Sequence, residues 1–130
     1  MTSEKKLSLY GCKTIYVTGG PARKRNMALR FCSNDLIAFF DDDVEVFPTC
    51  LQEMATYLTK NPTCGMVFGK TLNMEFKNRF DEAGSFLTST GFLMARSNNN
   101  AEDKGQFDLI EAILSGKSAS CMITRKAFSE

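Results

Sequence analysis

The stretch that decides the fold of this chain is Leu36-Ile37-Ala38-Phe39-Phe40-Asp41-Asp42-Asp43-Val44. Its five apolar residues run without alternation into three consecutive carboxylates. An unbroken apolar run of this length predicts a strand that is buried on both faces of a parallel sheet. Because an unpaired buried charge costs too much free energy, the acids must emerge at the carboxyl edge of that sheet. Open α/β folds bind their ligands at this edge.

The acidic triplet, Asp41-Asp42-Asp43, has two interpretations. Adjacent carboxylates repel one another, and a divalent cation would relieve that repulsion. Hard oxygen ligands suit Mg²⁺ or Mn²⁺, particularly when a substrate phosphate completes the coordination shell. The alternative is a solvated acidic turn after a core strand. The triplet alone leaves both interpretations open.

Composition and charge are those of one ordinary domain spanning residues 1–130. The 130 residues are 43% hydrophobic and 24% charged, so the chain can bury a core. The formal net charge of +1 argues against a nucleic-acid partner. Histidine is absent, which excludes Ser-His-Asp and Cys-His nucleophile schemes. Acid–base chemistry must therefore come from carboxylates, Lys, Tyr or Cys.

Cysteine usage and the N-terminal sequence predict a cytoplasmic location. The five cysteines are odd in number and have no C-x-x-C spacing, a pattern typical of reduced thiols rather than of disulfides or zinc ligands. No stretch is apolar for long enough to span a bilayer. Peripheral attachment to the inner face of the membrane stays open.

The first half of the chain alternates between strand and helix patterns, which predicts an α/β fold with a mostly parallel sheet. Pro48 should open the second helix at its first position, and Asn61 should be a left-handed cap. The apolar stripe of this helix is Leu51, Met54, Ala55 and Leu58. The elements expected in this half are a strand over 13–18, a helix over 22–32, a strand over 36–40, the Pro48 helix and a strand over 65–72.

The second half is more polar, and only some of its elements can be assigned. Residues 85–88 and 91–95 should pair as a hairpin, and 118–124 should form a last strand before a helix that begins at Arg125. The apolar segment 107–114 is ambiguous between helix and strand. The remainder of 73–106 reads as a long functional or mobile loop.

A basic cluster, Arg23-Lys24-Arg25, lies on the first turn of the helix that follows Gly19-Gly20-Pro21. A helix N-terminus attracts anions, so cations there suit a phosphate ligand better than they suit the helix itself. The alternative is a solvated basic face. In a right-handed crossover this helix start and the acidic triplet lie at the same edge of the sheet. A phosphate held between the basic residues and a carboxylate-bound metal is then a coherent arrangement.

Other phosphate-binding classes fit less well. A P-loop NTPase would need G-x-x-x-x-G-K-[ST] upstream of the acids, which the chain does not supply. A dinucleotide fold lacks its G-x-G-x-x-G. A haloacid-dehalogenase-type phosphatase with Asp41 as nucleophile is a weaker alternative, since Glu45 stands where Thr or Val is usual.

The ordered set of motifs resembles a family 2 glycosyltransferase domain of the GT-A fold, and in particular its rhamnosyltransferase-like branch. The resemblance covers about residue 14 to the end. It is carried by Gly19-Gly20-Pro21 with Arg25-Asn26, by Asp41-Asp42-Asp43 as a D-x-D motif, by the Pro48-led helix, by 80–87 with Gly91, by Gly105-Gln106-Phe107-Asp108, and by the strand and basic pair over 120–128.

The resemblance implies a metal-dependent, inverting enzyme that moves a sugar from a UDP- or dTDP-sugar to a glycan or lipid-linked acceptor. It implies that Asp43, with Asp41, binds Mn²⁺ or Mg²⁺. It also implies that Arg25, together with Arg23, neutralises the diphosphate, and that Asn26, Asp41 and Asp42 help to bind the donor.

Departures from the family pattern limit this interpretation. The first strands of the nucleotide-binding half, and the segment that normally carries the catalytic base, have no counterpart in these 130 residues. The remaining candidates for acceptor chemistry are Glu82, Asp108 and Glu111, each of which is alternatively a solvated surface acid. A non-catalytic domain that binds metal and diphosphate, or that only self-associates, is therefore the second hypothesis. Missing strands would leave an open sheet edge, which favours a homodimer.

Overall fold

The computed structural model describes residues 11–97 and 100–129. The chain divides into two compact units, 1–34 and 35–130. In the first unit, helix α1 spans Pro21–Leu29, with Pro21 in its first turn and Gly20 as N-cap. The expected helix is confirmed, although it ends three residues earlier than 22–32 suggests.

The strand expected over 13–18 is wrong. Lys13 to Thr18 runs without regular secondary structure, and Tyr16 is largely exposed. β-Branched and aromatic residues favour a strand only where a neighbouring strand and a packing surface are available. Among the described residues, no strand pairs with this segment.

The second unit contains a three-stranded sheet. Strand β1 spans Leu36–Phe40, β2 spans Met66–Phe68 and β7 spans Ser120–Thr124. Their order in the sheet is β1-β7-β2. Both β1 and β2 pair antiparallel with β7, in registers that place Phe40 opposite Ser120 and Phe68 opposite Cys121. Since β1 and β2 are each antiparallel to β7, they run in the same direction.

The expected mostly parallel sheet is therefore wrong in its pairing. Strand β7, the last in the chain, lies between β1 and β2. The strand–helix–strand alternation would instead have made β1 and β2 neighbours. Within the described residues each outer strand pairs on one side only. Burial on both faces is also wrong for β1, because Ile37 is buried while Ala38 is exposed.

Helix α2 spans Cys50–Lys60 and connects β1 to β2. Its N-cap is Thr49, so Pro48 lies before the helix rather than at its first position. Met54 and Leu58 are buried as expected. Asn61 is not left-handed, because its φ is -125° and its side-chain amide donates to the Tyr57 carbonyl at 2.9 Å. The Tyr57 carbonyl also accepts the backbone N–H of Asn61 at 3.0 Å, so both donors of Asn61 meet the last turn without a positive φ.

Two small antiparallel sheets and one short helix complete the second unit. The expected strand over 65–72 is interrupted after β2, and the hairpin over 85–95 is confirmed. The segment 107–114 contains neither helix nor strand. The remaining elements are β3 (Thr71–Leu72) paired with β4 (Phe80–Glu82), β5 (Ser85–Leu87) paired with β6 (Leu93–Ala95), and α3 (Arg125–Ser129).

The core of the second unit lies between α2 and the sheet, where Met54 and Leu58 pack with Met122 of β7. Phe80 and Cys121 are fully buried. In the described part of the chain, no helix has both the length and the apolar character needed to cross a bilayer.

Candidate functional site

The acidic triplet follows the carboxyl end of β1 directly, as expected, and all three side chains are exposed. The backbone N–H of Asp41 donates to the Ala119 carbonyl at 3.1 Å, which ties the start of the triplet to the segment that enters β7. The triplet therefore lies at a defined edge of the sheet and is open to a ligand.

The triplet does not form a closed cation cage. Among the described residues, no group of three or more His, Cys, Asp or Glu side chains converges on one point. The donor chemistry fits Mg²⁺ or Mn²⁺, because exposed carboxylate oxygens are the ligands these ions take. The residues thus suit a site in which the protein contributes one or two carboxylates and a phosphate ligand contributes the rest.

The basic cluster belongs to the first unit. Arg23 and Lys24 are exposed, Arg25 is half-buried and Asn26 is exposed. Gly19 has a φ of +114°, and a Cβ at that position would lie 3.0 Å from Cδ of Arg23, so the glycine gives the arginine stem room beside the turn. That these residues face the acidic triplet stays a prediction.

Lys70 forms a second polar cluster at the same sheet edge as the triplet. Gly69 donates its N–H to the Ser120 carbonyl at 2.9 Å, so Lys70 follows the carboxyl end of β2 as Asp41 follows that of β1. With one strand between them, these two strand ends are roughly 10 Å apart. The Nζ of Lys70 contacts the carboxylates of Asp103 at 2.8 Å and Asp108 at 2.6 Å.

Partial burial lowers the pKa of Lys70, but its hydrogen bonds with the two carboxylates together outweigh this, so its pKa is raised above the ordinary value. The pKa of Asp103 is lowered by the hydrogen bond from Lys70 and by one from the Gly105 N–H. Both pKa shifts favour the ionised pair of Lys70 and Asp103.

A cleft of about 860 Å³ extends from this cluster along α2 and β2 to the segment 107–113. That volume is in the range of small-molecule sites. Asp108 and Glu111 line the cleft, whereas the described lining includes neither Glu82 nor the acidic triplet. The cleft combines apolar side chains such as Phe47 and Ile110 with the paired charges of Lys70 and Arg96.

Each carboxylate nominated for acceptor chemistry has a partner. Asp108 pairs with Lys70, and Glu111 accepts from Arg96 at 2.6 Å. Glu82 accepts a hydrogen bond from the Ser85 hydroxyl at 3.3 Å and is not among the described residues that line the cleft. The structure therefore brings Asp108 and Glu111 to one cleft and leaves Glu82 outside it.

Lys70, Asp103 and Arg96 are residues that sequence reasoning missed. Lys70 is 33 residues from Asp103 and 38 from Asp108, so no local spacing connects them. The ring of Phe107 stacks edge-on against buried Phe80 at 5.2 Å. The sequence feature that pointed to this cluster is the Gly105-Gln106-Phe107-Asp108 motif. It places the Phe107 ring, which packs against Phe80, in the same segment as the carboxylate of Asp108.

In a comparison with protein families, the model of glycosyl transferase family 2 matches residues 5–130. Comparisons with curated proteins and with solved structures gave no significant match.

Proposed function

The chain belongs to glycosyl transferase family 2, and on that premise we propose that it transfers a sugar from a UDP- or dTDP-sugar to a glycan or lipid-linked acceptor. Family membership supports glycosyltransferase activity in general and implies a GT-A α/β fold with a nucleotide-sugar donor. The observation that carries the proposal is the exposed acidic triplet at the carboxyl end of β1. This is the edge where an α/β sheet binds its ligands.

We assign Asp43, assisted by Asp41, to a bound Mn²⁺ or Mg²⁺. When bound, the cation supplies Lewis-acid stabilisation of the charge that develops on the leaving nucleoside diphosphate. Asp42 helps to position the donor from the same turn. Arg23 and Arg25 lie near the start of α1, where a helix N-terminus favours phosphate. Their assignment to the diphosphate rests on the family resemblance.

The acceptor half of the reaction is assigned to the cleft. An inverting transfer needs a carboxylate that takes the proton of the acceptor hydroxyl as that oxygen attacks the sugar. Asp108 and Glu111 line the cleft and are the candidates. Asp108 is the stronger one, because Lys70 holds it on the sheet edge that also carries the acidic triplet.

Calorimetric titration of Mn²⁺ with UDP or dTDP tests the donor site. Wild type should bind nucleotide only with metal, and Asp43→Ala should lose that binding. The matched control is Asp35→Ala, which removes an exposed carboxylate from the opposite end of the same strand and should leave binding unchanged. Equal loss in both variants, or metal-independent binding, would contradict the assignment.

A non-catalytic domain that binds metal and diphosphate is the second candidate. It is favoured by the pairing of Glu82, Asp108 and Glu111, since each nominated carboxylate already has a partner. Metal-dependent nucleotide binding without donor hydrolysis or transfer to any offered glycan would select it over the enzyme. Hydrolysis of phosphate esters that is lost in Asp41→Asn would instead select the phosphatase alternative.

A further inference from the structure

The β5–β6 hairpin exposes an unusual amount of apolar surface. Its five large apolar side chains are between 45% and 71% exposed, and they are Phe86, Leu87, Phe92, Leu93 and Met94. Over residues 84–95 the chain carries no charged side chain. Single exposed apolar residues are ordinary, whereas a contiguous uncharged group of them marks an interaction surface.

Both faces of the hairpin are apolar. Phe86 lies opposite Met94, and Leu87 lies opposite Leu93 in the next pair of the ladder. Since successive side chains of a strand point to opposite faces, the first pair occupies one face and the second pair the other. A single protein surface would cover one face and leave the other in water, whereas an apolar medium surrounds both.

The tip of the hairpin satisfies its own backbone groups. Thr88 donates its N–H to the Phe92 carbonyl at 2.8 Å, and Phe92 donates its N–H to the Thr88 hydroxyl at 2.9 Å. Gly91, at a φ of +86°, donates its N–H to the Thr88 carbonyl at 3.0 Å. Unsatisfied backbone groups are the main cost of placing a turn in a low-dielectric medium, and these bonds reduce that cost.

The base of the hairpin is anchored to the rest of the second unit. Buried Ser85 donates its N–H to the Ser115 carbonyl at 2.8 Å, and Arg96 donates its N–H to the Gly84 carbonyl at the same distance. The hairpin therefore projects from a fixed base, with its apolar part beyond it.

We propose that the β5–β6 hairpin inserts into the interfacial region of a phospholipid bilayer. The exposed apolar area is on the order of 500 Å², taking about half of the roughly 200 Å² that a large side chain of this kind can bury. A stable protein interface needs about 800 Å² from each partner, so this surface alone is small for a dimer. Interfacial attachment to a bilayer strengthens with the apolar area inserted, and a surface of this size gives weak, reversible attachment. The proposal does not depend on the glycosyltransferase assignment.

The absence of tryptophan from the chain allows a direct test. Phe92→Trp places a single indole at the hairpin tip, and Phe76→Trp places one at another exposed phenylalanine of the same unit as a control. With phosphatidylcholine vesicles, emission from the indole at position 92 should shift to shorter wavelength and be quenched by brominated lipid. The indole at position 76 should show neither change.

A second variant tests the energetic role of the tip. Phe92→Ser combined with Leu93→Ser should lower vesicle binding by about tenfold or more, because two exposed apolar side chains are removed. An unchanged circular dichroism spectrum and melting curve would show that the variant folds. Binding should be similar on zwitterionic and anionic vesicles, since the hairpin carries no charge.

Three outcomes would overturn the proposal. One is the absence of a blue shift at position 92 with vesicles, and another is an equal shift at position 76. The third is a blue shift without lipid that grows with protein concentration together with the molecular mass by light scattering, because a second copy of the chain would then cover the hairpin.

Discussion

Replacement of Lys70 by methionine would test the ion-pair cluster at the mouth of the cleft. The Nζ of Lys70 lies 2.8 Å from Asp103 and 2.6 Å from Asp108. The side chain of Asp103 is only 14% exposed, whereas that of Asp108 is 63% exposed. Methionine keeps a similar apolar stem and removes the charge, so Lys70→Met isolates the electrostatic contribution.

The expected loss in the free energy of unfolding at pH 7 follows from the exposed fractions of the two carboxylates. A charge-assisted hydrogen bond to a shielded partner such as Asp103 contributes about 1.5–3 kcal/mol. An exposed pair such as Lys70 with Asp108 adds about 0.5 kcal/mol. Since the variant also leaves two carboxylates facing one another without a cation, we expect the free energy of unfolding to fall by about 2–3 kcal/mol.

The stability that Lys70 and Asp103 contribute depends on pH, and the two pKa shifts give the direction of that dependence. The lowered pKa of Asp103 gives stability that is present above its unfolded pKa of about 3.9 and is lost as pH falls through the folded value. The raised pKa of Lys70 gives stability that is present below its unfolded pKa of about 10.4 and is lost as pH rises through the folded value. The difference between wild type and variant should therefore be largest between these limits and shrink in acid.

Urea unfolding at pH 7 and near pH 3 measures this difference. The control is Lys77→Met, because Lys77 lies 3.5 Å from Glu45 and both side chains are mostly exposed. Its effect should stay below about 0.5 kcal/mol. A Lys70→Met loss of the same size at both pH values would show that the stabilisation does not depend on the ionised carboxylates and would refute the electrostatic account.

Three further predictions concern the packing of the second unit. Phe80→Ala should lower the free energy of unfolding by about 3–5 kcal/mol, because Phe80 is fully buried, and chemical denaturation measures this. Gly84→Ala should cost about 1–3 kcal/mol in the same assay, since Gly84 has a φ of +91° and a Cβ there would lie 2.7 Å from Ile113. Burial raises the pKa of the Cys50 thiol against an opposing hydrogen bond from Ser120, and nearby Glu53 raises it further. Cys50 should therefore be alkylated about tenfold more slowly than exposed Cys12 at pH 8, as followed by peptide mass spectrometry.

Local sequence patterns correctly predicted the helices and strands that depend mainly on residues close to one another in the sequence. The apolar run before the acids predicted β1 over its full length, and Gly91 with flanking apolar residues predicted the hairpin. Helix α2 followed from its apolar periodicity, with Met54 and Leu58 on the buried side. Leu51 belongs to the same predicted stripe yet is 47% exposed, so the apolar pattern overstates the buried face at the start of α2.

Features that depend on distant partners could not be predicted. The segment from Lys13 to Thr18 has strand propensity but no partner strand among the described residues. The bonds of Lys70 join residues more than thirty positions apart, so no spacing rule reveals them. The insertion of β7 is of the same kind, since its register with β1 joins Leu36 to Thr124 across most of the second unit.

The position of the acidic triplet was predicted correctly even though the sheet pairing was not, and the reason is physical. The direction of a strand decides at which edge of the sheet it ends. A strand–helix–strand connection of this length makes its two strands run in the same direction, even when another strand lies between them. Inserting β7 changes the neighbours of β1 and β2 but leaves both carboxyl ends at one edge. Asp41 and Lys70 therefore share that edge, with the amino end of β7 between them.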